Sequence, residues 1–383
     1  MVVHSHYPTD VRVRREARAA LEAGYAVDVI SLRGEREPTR EVVDGVEVRR
    51  LPLHHVSGGG TARMLYEYLT FALLATLMLV PAAVQRRYTV VQVHNPPDFL
   101  LIAGLLPRLF GSTLLLDVHD LSSHMFGARY GGRLGAAMSR SLVLLERLAG
   151  GLADGVITVH EPYRRELINQ GVAAEKISIV MNVPDQSVLE AARGEAADHD
   201  PGEFVVAYHG TISGWYGVDL ILDALSELRN EIPSARAIVL GDGDARVELQ
   251  ERARHLGLAD HVEFSDGWVA AERALAQVAG ASCGVIPNRP TELNRFALST
   301  KLFEYLALGL PVVVSGLETL TAHFGPDEVT FFTPGDAGSL AQALTWVASH
   351  PAEAAARTER ARERIERDYS WPANRERYLA ALS

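Results

Sequence analysis

The sequence is poor in cysteine, in lysine and in positive charge. Its single cysteine, Cys283, excludes an intrachain disulfide framework and a cysteine zinc site, which fits a reducing compartment. A net charge of −11 argues against nucleic-acid binding, which draws on a basic face. It leaves room for a phosphorylated small molecule, which needs only a local positive site. Only Lys176 and Lys301 are lysines, so Lys301 stands out among mostly arginine cations. Walker and G-x-G-x-x-G signatures are missing. A charged-then-apolar leader with a small-residue cleavage site is missing too, so the expectation is a cytoplasmic chain.

What is present is enough for two domains. The chain has 383 residues, 48% of them hydrophobic and 22% charged, a balance suited to two buried cores. Apolar strands such as "TVVQVHN", "STLLLDVHD" and "FVVAYHG" alternate with helical stretches, the pattern of parallel βαβ units covered on both faces. Between Glu190 and Glu203 the composition turns acidic and small, which reads as a linker, and the alternation then restarts. The expected fold class is therefore α/β, with two doubly wound parallel-sheet domains in tandem. Ligands of such sheets bind at the carboxyl ends of the strands, so the expected site lies between the domains.

One segment stands apart. From Tyr68 to Arg87, within an apolar helix over residues 61–87, runs an apolar stretch of about 17 residues interrupted by Pro81, at the lower edge of a membrane span. It reads either as a core-facing helix or as a helix that docks on a bilayer surface beside Arg86 and Arg87.

Several positions carry candidate chemistry. In "AYHGTISGWYGVD", Gly210 and Gly217 lie between a strand and a helix, where backbone N–H groups meet phosphate or simply make a tight turn. In "LGDGD", Asp242 and Asp244 read as a metal-binding pair or, preferably, as turn and helix-capping residues. His94, His119, His160 and His209 all fall at predicted strand ends, as structural or functional imidazoles. Asp117 and Asp120 flank His119 and can orient its ring. His4 and His6 share a strand face but lack an evident third ligand. In "STKLFEYLALGLPVVVS", Ser299 or Thr300 can cap a helix starting at Lys301, and its N-terminus with the lysine makes an anion site. One turn further, Glu304 can accept from a vicinal diol such as a ribose.

Taken in order, these motifs resemble the retaining glycosyltransferases of family 4, which have the GT-B fold. "YPTDVRVRREARAALEAGYAVDVISL", "VVQVHNPPDFL", "LLLDVHDL", "ADGVITVHEPYRREL" and "KISIVMNVPD" are similar to the family's first domain. "YHGTISGWYGVDLILDAL", "KLFEYLALGLPVVVS" and "YSWPANRERYLAAL" are similar to its donor domain and final crossing helix. The resemblance implies an acceptor-side domain over 1–188 plus a C-terminal helix at 372–383, and a donor-binding domain over 189–371.

It also implies site residues. Glu304 falls at the glutamate that holds the donor ribose, with Gly210, Thr211, Gly241, Ser299, Thr300 and Lys301 on the donor side. His119 falls at the catalytic position beside the reacting sugar, and His6, Asp10, His94 and Asp120 lie on the acceptor side. Two departures stand out: Phe296 replaces a motif glutamate, and Trp215 and Tyr216 replace the usual phosphate cations, for which Lys301, Arg289 and Arg295 are the candidate substitutes. The implied function is retaining transfer from a nucleoside-diphosphate sugar to a glycan, lipid-linked or small-molecule acceptor. Neither a metal nor another cofactor is expected, nor a nucleic-acid partner. The alternatives are a UDP-sugar 2-epimerase on the same fold and a non-catalytic nucleotide-sugar-binding subunit.

Overall fold

Runs of Val, Ile and Leu buried on both faces form the parallel strands that organise this chain. A computed structural model describes residues 1–383 except 54–59, 86, 125–131, 185, 198–199 and 201. It divides into one unit of Met1–Asn182 with Trp371–Ser383, and a second of Val183–Ser370.

The first unit carries strands β1 (Val2–His6), β2 (Asp28–Leu32), β3 (Arg40–Val43), β4 (Val46–Leu51), β5 (Val90–His94), β6 (Thr113–Val118), β7 (Gly155–Thr158) and β8 (Ile177–Ile179). They form one sheet in the order β3-β4-β2-β1-β5-β6-β7-β8. Only β3 runs antiparallel, pairing with β4 through a tight turn at Asp44 and Gly45, both at positive φ. This hairpin is absent from the sequence reading, although Asp-Gly between short apolar runs is its usual signal.

The second unit carries β9 (Phe204–His209), β10 (Ala235–Leu240), β11 (Val262–Phe264), β12 (Cys283–Ile286), β13 (Val312–Ser315) and β14 (Thr330–Phe332). Its parallel sheet has the order β11-β10-β9-β12-β13-β14. The proposed linker is in part a helix, Gln186–Gly194, whose Leu189 and Ala192 pack on Leu275 and Ala276. The second unit therefore starts at Val183, ahead of the acidic stretch. At the other end, the helix Trp371–Ala381 belongs to the first unit. There Tyr378 and Leu382 join a core with Val13, Ala17, Leu115 and Ile157, and Asn374 Oδ1 accepts the Met181 N–H at 2.9 Å.

The apolar helix Gly60–Val84 is only partly a core helix. Phe71, Ala72, Ala75, Leu79, Ala82 and Ala83 are buried, while Leu65, Leu69, Leu73 and Leu77, spaced every four residues, stand on an exposed face. Its 18-residue apolar window is 39% buried. Of the two flanking arginines, Arg86 lies outside the described residues, and Arg87 is ion-paired with Asp28 at 3.0 Å and Glu47 at 3.2 Å.

Candidate active site

In the second unit, the carboxyl ends of β9 and β10 run against each other so closely that only glycine fits. A Cβ on Gly241 would lie 1.9 Å from the Gly210 carbonyl oxygen, and one on Gly243 would lie 2.1 Å from that of Ile212. These glycines shape the loop and do not offer their N–H groups to a phosphate. The Gly210 N–H donates to the Leu240 carbonyl and the Gly241 N–H to Ser265 Oγ, both at 2.8 Å. Among the described residues no acceptor meets the Thr211 N–H.

Gly210 has another use: a side chain there would come within 2.5 Å of Lys301 Cε. Lys301 folds back from the start of the helix Thr300–Leu308 and sets its ammonium 5.5 Å from the ring centre of Tyr208 and 5.1 Å from that of Tyr216. Burial lowers its pKa, with Glu304 pulling the other way. No hydrogen-bond acceptor or carboxylate partner meets the ammonium among the described residues. The expected side-chain cap is not made: Ser299 occupies the N-cap position without a side-chain hydrogen bond. The first turn thus lacks a side-chain cap, and of its amides the Leu302 N–H donates to the Ser299 carbonyl at 3.1 Å.

Glu304 is paired. Its Oε2 lies 3.0 Å from His209 Nε2, and the other ring nitrogen, Nδ1, lies 3.0 Å from the Tyr305 hydroxyl. The backbone N–H of His209 also donates to that hydroxyl, at 3.1 Å. One proton arrangement satisfies all three contacts: Nε2–H donates to Glu304, and the Tyr305 O–H donates to Nδ1. Tyr305 reaches this place because residue 284 is glycine, where a Cβ would lie 2.3 Å from the tyrosine ring. His209, one of the four strand-end imidazoles, is thus grouped with Glu304, a pairing the sequence alone did not indicate.

The other two candidate cations are committed elsewhere. Arg289 is ion-paired with Asp219, and Arg295 stacks on Phe296 at 5.2 Å with Glu318 at 3.6 Å. Buried Asn294 was missed altogether. It holds the Trp215 loop by donating to the carbonyls of Trp215 at 2.6 Å and Arg289 at 2.9 Å. Asp242 and Asp244 do not cap the following helix, whose N-cap is Ala245, and Asp242 accepts instead from the Gly243 N–H at 2.9 Å.

In the first unit, His94 at the end of β5 pairs in register with Asp117, the penultimate residue of β6, with His119 two residues on. Asp117 Oδ2 lies 2.8 Å from His94 Nδ1 and 2.9 Å from His119 Nε2, and the two rings stack 6.1 Å apart. Burial would raise the Asp117 pKa, but the two imidazoles outweigh it and hold the carboxylate far below its usual range. His94 is lowered by burial. These three residues bring ligand atoms within 4.8 Å of one another, a composition suited to a metal. Gln92 Nε2 also donates to Oδ2, at 3.2 Å, so this oxygen meets hydrogen-bonding nitrogens of His119 and Gln92, while Asp117 Oδ1 and both His94 nitrogens make no hydrogen bond among the described residues.

Asn95 fixes the loop that follows. Its Oδ1 accepts from the N–H groups of His119 and Asp120, and its Nδ2 donates to Asp98 Oδ1 and the Asp120 carbonyl. The Asp120 carboxylate therefore does not orient the His119 ring; Asp117 does. Asp10 caps the helix Val11–Glu22 and pairs with Arg12 at 3.0 Å. Burial would raise its pKa, yet Arg12 holds it at about 2. His6 ends β1, whereas His4 points elsewhere, edge-on to Tyr68 at 4.6 Å. Next along the loop, Glu146 accepts from the N–H and O–H of Ser123 at 2.7 and 2.8 Å.

Two family profiles match, "Glycosyl transferase 4-like domain" over residues 9–182 and "Glycosyl transferases group 1" over residues 203–350. The chain belongs to the family 4 glycosyltransferases and has their GT-B fold. A putative colanic acid biosynthesis glycosyl transferase of Escherichia coli K12 is 26% identical over 64% of this chain and 64% of its own length, just under two thirds of that relative. Sucrose-phosphate synthase of Thermosynechococcus elongatus shares the fold with a TM-score of 0.77 at 20% identity, over 100% of this chain and 96% of the other. Anabaena HepE, solved in complex with UDP-glucose, has a TM-score of 0.68 at 17% identity, over 100% and 98%.

Glu146 generates a prediction. Burial and the Asp98 charge raise its pKa from the usual 4.5 to about 7. The folded chain then binds more protons than the unfolded one between those values, so this group's contribution is full below about 4.5 and is lost as pH rises through 7. Glu146→Gln should flatten the fall in stability across that window by up to about 3 kcal/mol, read by urea denaturation at both ends. An unchanged pH slope would contradict the assignment.

Proposed function

We propose that this chain transfers a sugar from a nucleoside-diphosphate sugar to an acceptor hydroxyl with retention of anomeric configuration. The observation that carries the reading is the Lys301 ammonium, held between two tyrosine rings beside an uncapped helix start. A cation with no ion pair among the described residues, next to a helix start without a side-chain cap, suits an anion such as a diphosphate. It also answers the loss of cations at Trp215 and Tyr216, since Arg289 and Arg295 are already paired. Glu304 uses one oxygen on His209, and the other suits a ribose diol. Diphosphate departure would be stabilised by Lys301 and the helix start, without a metal. HepE was solved with UDP-glucose, so UDP-sugars are the first donors to try. We assign His119 as the catalytic imidazole, with the acceptor hydroxyl bound on the same unit.

We place the reaction in the cytoplasm, at the inner face of the plasma membrane, with a lipid-linked acceptor. Leu65, Leu69, Leu73 and Leu77 form an apolar face suited to lipid contact. Because Arg87 is already paired, adsorption would draw on apolar burial more than on charge.

Thermal-shift screening against UDP-, GDP- and dTDP-sugars should find a stabilising donor. Glu304→Gln should then weaken that donor by about 1.5–3 kcal/mol with the fold intact, because the amide oxygen still accepts from His209. Normal nucleotide affinity in this variant would remove Glu304 from the site.

Activity should survive exhaustive chelation. Its loss on EDTA treatment and return with Mn²⁺ or Mg²⁺ would assign the His94, Asp117 and His119 group to a metal.

The chain should co-sediment with anionic vesicles, and serine at Leu69, Leu73 and Leu77 together should release it without lowering thermal stability. Absence of wild-type binding at low and physiological salt would leave that face without a lipid role.

A further inference from the structure

Behind His119 the first unit buries a chain of polar groups drawn from four elements. The Tyr378 hydroxyl, on the helix Trp371–Ala381, donates to Gln92 Oε1 at 2.9 Å. Gln92 Nε2, on β5, donates to Glu16 Oε2 at 2.7 Å and to Asp117 Oδ2 at 3.2 Å. Asp117, on β6, faces His119 Nε2 at 2.9 Å. Glu16, on the helix Val11–Glu22, completes the set. Tyr378 and Asp117 are 0% exposed, Glu16 1% and Gln92 2%, so bulk solvent does not reach these groups.

Hydrogen-bond capacity fixes the arrangement. The two amide hydrogens of Gln92 meet two carboxyl groups, and its carbonyl meets the one hydroxyl. Turning the amide over would set its oxygen against the Asp117 carboxylate. Two carboxyl groups on one amide nitrogen in a dry site cannot both be ionised, so the pair keeps one proton. The imidazoles draw the charge to Asp117, which leaves the proton on Glu16. Burial and the Asp117 charge do raise the Glu16 pKa well above its usual value. A single negative charge on Asp117 Oδ2 then selects the His119 tautomer protonated at Nε2, as an aspartate behind an imidazole does. His119 Nδ1, buried and without a partner, becomes the open nitrogen of the ring.

We propose that Glu16, Gln92 and Tyr378 are positioning residues that determine, through Asp117, which nitrogen of His119 carries the proton. The relevance of that tautomer to sugar transfer rests on the reading of His119 given above, but the tautomer itself does not.

The test uses imidazole ¹⁵N spectra of the full chain, with His119 assigned from His119→Gln. Wild type should show the Nε2–H form. Tyr378→Phe removes one hydroxyl, Gln92→Met removes the amide, and both should shift His119 toward a mixture of tautomers. Turnover should fall about tenfold or more in both while nucleotide affinity holds, the mark of a loss felt after binding. Glu16→Gln keeps a neutral hydrogen-bonding group and should match wild type in both readouts, whereas Glu16→Leu should not.

A His119 signal unchanged in Tyr378→Phe and Gln92→Met overturns the proposal, as does Glu16→Gln behaving like Glu16→Leu. If Gln92→Met does not fold, Tyr378→Phe and Glu16→Gln decide. A shifted tautomer in a chain that transfers no sugar would uphold the positioning role and sink the transferase reading instead.

Discussion

A carboxylate with no exposure to water must be neutralised by its surroundings, and Asp117 is the group around which the first unit is arranged. Leaving such a charge unmet would cost several kcal/mol, comparable to the net stability of a domain. The neighbouring strand therefore ends in His94, the residue two places on is His119, and the amide of Gln92 lies beneath them. Meeting the charge fixes the position of the loop bearing His119, and Asn95 gives three of its four hydrogen bonds to that loop's backbone. A functional reading of His119 and a structural one are thus compatible, because the same contacts that stabilise the buried charge also aim the ring.

In the second unit the corresponding constraint is distance between backbones. Side chains are deleted wherever they would collide, at Gly210, Gly241 and Gly243 where the loops after β9 and β10 meet, and at Gly284 within β12. Room made at Gly284 is filled by Tyr305, which orients His209 and through it Glu304. Room made at Gly210 is filled by Lys301. These glycines shape the cluster around Lys301 and Glu304 mainly by what they admit.

The two parallel sheets were legible because strands covered on both faces are apolar throughout, and "VVV" at β13 or "LLL" at β6 has few other uses. His94, His119 and His209 were legible as strand-end imidazoles because the strands they close are apolar, whereas His160 caps the helix Glu161–Asn169. Their partners were not. Gln92 sits inside an apolar strand and Glu16 inside an arginine-rich helix, and nothing local links either to Tyr378, 286 positions from Gln92. A fully apolar helix hides its own exposed face, so the stripe from Leu65 to Leu77 emerged only from packing. Side-chain capping by Ser299 was a reasonable local inference, yet the oxygen does not reach the amides. The hairpin at Asp44 and Gly45 carried a clear signal that was passed over.

The route of the chain has a consequence for how the protein is made. Synthesis runs from the amino terminus, and domains generally fold as units while it proceeds. Here the first unit's sheet can assemble once β8 has emerged, but its buried amide still lacks a hydroxyl donor, and the Met181 N–H still lacks Asn374. Those partners arrive only after the whole second unit has been translated. The nascent first unit therefore waits with an open seam in its interior, and translation of the second unit determines how long that seam stays exposed to solvent, chaperones and proteases.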